Sequence, residues 1–110
     1  VFGGPIAQLQ TTRFKMAELA TDVRIHRAFI NECVQLFQAG ELDPATASMA
    51  KLAATEMQGR VVDACLQLHG GYGFMKEYGV SRAYVDARVQ RIYGGTSEIM
   101  KELISRSVLA

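Results

Sequence analysis

The sequence predicts an all-α protein, an antiparallel helical bundle of two long and two shorter helices. Three observations carry that prediction. Apolar residues recur at helical spacing along most of the chain, and no stretch alternates apolar and polar residues as a half-buried strand does. The glycine pairs fall between the periodic segments, where a chain reverses direction. Two of the breaks carry residues that cap the start of a helix.

The first helix is expected to begin near Pro5, because a first-turn proline lacks only an N–H that would have no partner there. From there Leu9, Met16, Val23, Ile30 and Phe37 recur at heptad spacing, flanked by Ile6, Ala20 and Val34. A stripe of that length predicts a helix of about nine turns packed lengthwise against partners. Gly40 ends it, since glycine readily takes the left-handed conformation that follows a helix. Asp43-Pro44 then starts the second helix as N-cap and first-turn proline. Along it Ala50, Ala54, Met57, Val61, Ala64 and Leu68 alternate at spacings of three and four, and the small alanines allow a neighbour close approach.

Gly70-Gly71 ends the second helix and leaves Gln67 in its last turn. Residues 72–80, with Tyr72, Phe74 and Tyr78, read as a turn-rich connector. A third helix is expected from Ser81 to about Tyr93, with Val85, Val89 and Ile92 on one face. Gly94-Gly95 interrupts it, and Thr96 caps a fourth helix whose first turn holds Glu98, an acid that complements the helix dipole. Ile99, Leu103 and Ile104 form the apolar side of that helix.

At 110 residues the chain is one domain with a modest core. A hydrophobic share of 49% and a charged share of 21% exclude a disordered chain, and no apolar run is long enough to span a bilayer. The net charge of +1 and the lack of a basic run argue against nucleic acid as a partner. Cys33 and Cys65 sit inside helical patterns beside apolar neighbours, which reads as free thiols of a soluble intracellular protein rather than a disulfide. The chain opens on Val1 and runs directly into Phe-Gly-Gly-Pro, the expectation being a piece of a longer protein.

Two short motifs bear on chemistry. Gln67-Leu-His-Gly-Gly71 could be a helix stop alone, but one glycine suffices for that, and a second leaves bare backbone that a ligand can approach closely. Tyr93-Gly-Gly-Thr-Ser-Glu98 could be a hinge and an N-cap, or the edge of a pocket whose helix N-terminus binds an anionic or nucleotide group. His69 has no acid, cysteine or second histidine at metal-ligand spacing, so no metal site is expected.

Together with Phe2-Gly3 and Gln10, these motifs resemble the C-terminal helical domain of the acyl-CoA dehydrogenases, over essentially the whole of residues 1–110. The resemblance implies an FAD-dependent enzyme that oxidises the α,β bond of a fatty acyl-CoA and passes electrons to an electron-transferring flavoprotein. It also implies a homo-oligomer, a dimer of dimers, with contacts to the partner subunit's cofactor. By resemblance, Gln67, Leu68, His69, Gly70 and Gly71 lie along the ADP half of FAD. Thr96, Ser97 and Glu98 form the triplet that contacts FAD, and Phe2 and Gln10 lie near the cofactor. Tyr93 and Gly95 fall in the substrate cavity, and Arg106 matches an arginine near the active site.

The sequence departs from the commonest pattern of that family at one place. Many members hold the catalytic glutamate between the tyrosine and the glycine, where this chain has Gly94, and a glycine cannot accept a proton. In the long-chain and isovaleryl branches the glutamate comes instead from the preceding helix, which here would lie upstream of Val1. The flanking Ile-Tyr-Gly-Gly-Thr and Ile-Met-Lys-Glu-Leu-Ile are most similar to the long-chain branch. No catalytic base is therefore expected within these residues. Glu98 is a poor substitute, because a helix N-terminus stabilises its charge and weakens it as a base. An acyl-CoA oxidase, a nitroalkane-oxidising relative and a non-enzymatic oligomerisation module remain as alternatives on the same fold.

Overall fold

The computed structural model describes residues 9–70, 75 and 79–110. Among these residues there are four helices and no strand: α1 (Gln10–Gln38), α2 (Pro44–His69), α3 (Gly79–Val89) and α4 (Ser97–Val108). Two are long, at 29 and 26 residues, and two short, at 11 and 12, as the pattern of apolar residues predicts.

The helix ends follow from local chemistry. After α1 the Gly40 backbone sits at φ +71°, its N–H donates to the Phe37 carbonyl at 3.0 Å, and the Glu41 N–H reaches back to the Leu36 carbonyl at 2.8 Å. Those paired bonds satisfy carbonyls that the helix end would leave without partners. At the start of α2 the Asp43 carboxylate accepts from the Thr46 N–H at 3.0 Å, and Pro44 fills the first turn. At the start of α4 the Thr96 hydroxyl accepts from the Ile99 N–H at 3.2 Å.

Three expected ends differ, the smallest being that α3 begins at Gly79 rather than Ser81 and so takes in the last two residues of the expected connector. Helix α1 begins at Gln10 rather than near Pro5, because Leu9 has extended backbone (φ −75°, ψ 132°) and no side chain caps the turn. Pro5 itself lies outside the described residues. Helix α3 stops at Val89 rather than Tyr93. The chain tightens there, with Gln90 and Ile92 N–H groups donating to the carbonyls of Ala87 and Val89, three residues back. That is the tighter hydrogen-bond spacing in which helix ends commonly unwind.

Helix α2 is the spine of the bundle. It packs against α1, α3 and α4, and among the described residues α1 packs against no other helix. Every residue from 48 to 59 is accordingly buried or half-buried. Asp22 of α1 accepts from the Arg60 guanidinium of α2 at 3.1 Å, and His26 Nδ1 lies 3.1 Å from the other Asp22 oxygen. This pair fixes an antiparallel register in which Gln10 stands level with the C-terminal end of α2.

The face that α1 turns to α2 is not the predicted stripe. Leu19 and Cys33 are buried on it, with Asp22, Val23, His26 and Ile30 half-buried beside them. Of the stripe, only Val23 and Ile30 take part, whereas Leu9, Met16 and Phe37 are 59%, 49% and 73% exposed. The reason is geometric. At 3.6 residues per turn, Leu19, His26 and Cys33 repeat along a line roughly 60° round the helix from the stripe's centre. Asp22 lies on that side, and its bond to Arg60 favours it. Both cysteines are free, Cys33 buried and Cys65 half-buried. No helix among the described residues is long and apolar enough to cross a membrane.

Candidate functional site

The segment from Arg91 to Ser97 is held against α2 by two polar side chains, Lys51 and Glu56. Lys51 of α2 donates its ammonium to the Tyr93 carbonyl at 2.7 Å and also to the Gly95 carbonyl. Glu56, also on α2, accepts from the Ser97 hydroxyl at 2.7 Å through one oxygen and from Arg91 Nη1 at 3.2 Å through the other. The Ser97 N–H closes the loop on the Arg91 carbonyl at 3.2 Å. The Ser97 hydroxyl beside Glu56, seconded by the Arg91 guanidinium, holds the Glu56 carboxyl below its ordinary value of 4.5.

Between the anchors lie two glycines whose backbone other residues rarely adopt. Gly94 stands at φ +67° and Gly95 at φ +114°. A Cβ on Gly94 would meet nothing within 4 Å, whereas one on Gly95 would sit 2.7 Å from Cε of the buried Met100. Gly94 thus faces open space, whereas at Gly95 the backbone favours glycine and a Cβ would force Met100 Cε to shift. Beyond them Ser97 is buried, while Glu98 is exposed in the first turn of α4.

The second motif lies elsewhere. Gln67, Leu68 and His69 form the last turn of α2, with His69 Nδ1 at 2.8 Å from the Cys65 carbonyl. Gly70 follows at φ +62° with its N–H on the Gln67 carbonyl, and a Cβ there would again meet open space. At 1.5 Å rise per residue, Gly70 stands about 28 Å along α2 from Lys51, so one chain does not bring the two motifs together. Gln10 joins the Gln67–Gly70 end through the antiparallel register. Phe2 and Gly71 lie outside the described residues.

Arg106 belongs to neither cluster. It is exposed in the last turn of α4, roughly 14 Å along the helix from Ser97. Its Nε donates to Glu102 at 3.1 Å, one turn back.

Sequence reasoning passed over Lys51, Glu56 and Arg91. One signal was available: α2 carries only four acidic or basic side chains besides His69, namely Lys51, Glu56, Arg60 and Asp63. Ionised groups on a helix enclosed by neighbours need partners. No group of three His, Cys, Asp or Glu side chains among the described residues is placed to hold a metal.

The family model for the acyl-CoA dehydrogenase C-terminal domain matches residues 1–109. The chain belongs to the acyl-CoA dehydrogenase family. It is 54% identical over 99% of its length to the mitochondrial long-chain specific acyl-CoA dehydrogenase of Rattus norvegicus. Among solved structures, it superposes on an acyl-CoA dehydrogenase from Geobacillus kaustophilus with a TM-score of 0.94 at 42% identity, covering 98% of this chain and 28% of that one. Butyryl-CoA dehydrogenase from Megasphaera elsdenii gives a TM-score of 0.95 at 30% identity over 100% of this chain and 29% of that one. The chain spans 25% of the length of the rat enzyme, so this acyl-CoA dehydrogenase domain is about a quarter of such a protein.

Proposed function

We propose that this domain is the C-terminal helical part of an FAD-dependent acyl-CoA dehydrogenase of the long-chain type, which oxidises the α,β C–C bond of a fatty acyl-CoA to the trans-2-enoyl-CoA. The kinship with the long-chain specific rat enzyme carries this reading. Within the domain, the Arg91–Ser97 segment supports it. Peptide units are planar, so carbonyls of Tyr93 and Gly95 drawn towards Lys51 turn the N–H groups of Gly94 and Thr96 away from α2. That leaves a donor edge, beside glycine backbone free of Cβ atoms, of the kind a cavity wall needs.

In this reading Tyr93 and Gly95 line the acyl cavity. The N-terminus of α4 at Thr96, Ser97 and Glu98 contacts FAD. Both donors of Ser97 are engaged within the domain, the hydroxyl by Glu56 and the N–H by the Arg91 carbonyl, so its contact with the cofactor would share one of these groups. Gln67, Leu68, His69, Gly70 and Gly71, with Phe2 and Gln10, contact FAD at the other end of α2. The open space beside Gly70 suits close approach of a phosphate-bearing group. The distance between the two ends supports a role in two different cofactors, the subunit's own and its partner's. Arg106 is the weakest member, since its charge is engaged by Glu102.

Bound FAD would accept the hydride from the substrate β-carbon. The α-proton goes to a glutamate outside these residues, since Gly94 offers no acceptor. Electrons then pass to an electron-transferring flavoprotein. The exposed Phe14, Ile25 and Phe37 of α1 support burial of that helix against other parts of the enzyme or another subunit in a dimer of dimers. The compartment proposed is the bacterial cytoplasm or the mitochondrial matrix.

The test is an anaerobic titration of the full-length flavoprotein with a saturated long-chain acyl-CoA. Loss of the oxidised flavin absorbance with formation of the enoyl product is expected. Retention of oxidised flavin in a protein that binds the thioester would refute the assignment. Reoxidation by oxygen as fast as by flavoprotein would make the enzyme an oxidase instead.

A further inference from the structure

We propose that Lys51 and Glu56 of α2 are positioning residues for the reaction, setting the orientation of the peptide units from Tyr93 to Ser97. The inference rests on the reading that this segment lines the acyl and cofactor cavity. What it adds is the device that holds the lining in shape.

Two adjacent glycines with positive φ give the segment more conformational freedom than any other residue pair would, so its native shape has to be imposed from outside. Three features impose it. Glu56 brackets the segment, holding Arg91 before the glycines and Ser97 after them. Lys51 takes the middle, with two of its three ammonium donors on the carbonyls flanking Gly94. Met100 fills the space beneath Gly95. Lys51 and Glu56 lie 42 and 41 residues from Tyr93 and Ser97 respectively, so these bonds are tertiary and not part of any helix end.

The bonds have a directional consequence that simple packing would not. A carbonyl fixed towards α2 fixes the next N–H away from it, because both belong to one planar unit. Among the described residues, the N–H groups of Gly94, Gly95 and Thr96 donate to no acceptor. Those of Gly94 and Thr96 are the donors that the bonds to Lys51 aim. Among the described residues the ammonium makes no contact besides these two carbonyls, so the charge of Lys51 serves the turn.

The experiment compares steady-state kinetics, flavin content and thermal stability of the full-length flavoenzyme with those of Lys51→Met and Lys51→Gln. Methionine keeps the apolar stem and removes every donor. Glutamine keeps one amide donor group on a shorter stem. For Lys51→Met, kcat is expected to fall by about tenfold to a hundredfold, the scale of a small misplacement near the reacting atoms. KM is expected to stay within about threefold, with flavin retained, the mark of an interaction needed in the transition state more than in binding. Wild-type kcat in Lys51→Met overturns the proposal. So does a loss of flavin or of folded protein that accounts for the lost activity in both variants, since that describes a purely structural lysine. Should only Lys51→Gln be recovered, a fall in kcat at unchanged KM supports positioning and wild-type kcat overturns it. If the wild-type enzyme itself fails to oxidise acyl-CoA, the functional assignment falls, an outcome distinct from these.

Discussion

Replacing Gly95 with alanine tests the description of the turn directly. The backbone there stands at φ +114°, and holding a non-glycine residue in such a region costs about 1–3 kcal/mol. The new Cβ would also lie 2.7 Å from Met100 Cε. That atom ends a flexible side chain, but Met100 is only 7% exposed and has little room to move. Displacing it from its rotamer adds about 0.5–1.5 kcal/mol. Removing the extra freedom of glycine from the unfolded chain returns about 0.4–1 kcal/mol. Gly95→Ala is therefore expected to destabilise the protein by roughly 2 kcal/mol, read by denaturant unfolding followed by circular dichroism.

A second substitution separates the two contributions. Leucine at position 100 lacks the Cε atom and by itself costs less than about 1.5 kcal/mol. In Gly95→Ala/Met100→Leu the overlap vanishes while the backbone strain stays, so the double variant should be less destabilised than the two single effects added together. Strict additivity would refute the claim that Met100 Cε occupies the space a Cβ would need. A neutral Gly95→Ala would refute the backbone argument as well.

Three further outcomes are expected. Gly59 lies mid-helix in α2, where a Cβ would meet the Arg91 guanidinium carbon at 3.4 Å, an ordinary contact; Gly59→Ala should be neutral or stabilise by up to about 1 kcal/mol in thermal unfolding, and a marked loss would mean that Arg91 cannot yield. Because Ser97 and Arg91 lower the Glu56 pKa in the folded state, the stability it contributes is present above the ordinary value of 4.5 and lost as pH falls through the lowered one; the unfolding midpoint of Glu56→Gln should depend less on pH across that acid range than that of the wild type. A Cβ at position 94 would meet nothing within 4 Å, though a non-glycine residue adds left-handed strain of about 1–2 kcal/mol; in a full-length enzyme stripped of its upstream glutamate, Gly94→Glu should restore some turnover, and total inactivity with flavin and substrate bound would refute a shared proton-abstraction geometry.

The parts of this fold that sequence reveals are those set by neighbours along the chain. Asp43-Pro44, Thr96 and Gly40 each act within a few residues, and their capping bonds form where the residue types indicate. The face of α1 was less legible, since a heptad stripe and the true contact line differ only by a rotation that the partner helix decides. Asp22 settles that rotation through Arg60, 38 residues away. The candidate site divides in the same way. Its glycines and its cap could be read directly, whereas Lys51 and Glu56 become visible only when α2 and the turn are brought side by side. The separation of the two motifs was also hidden, because it depends on where along α2 each one docks.

Among the described residues α2 touches all three other helices and α1 touches only α2, so the free energy of opening is unevenly shared. Helix α1 can detach while α2 keeps its contacts with α3 and α4. Helix α2 cannot open without releasing every neighbour at once. Native-state amide exchange should therefore rank the helices by connectivity, with α2 amides slowest and exchanging only through global unfolding. The turn that carries Tyr93 to Ser97 is anchored to that slowest element, so it inherits the most persistent support the domain can give.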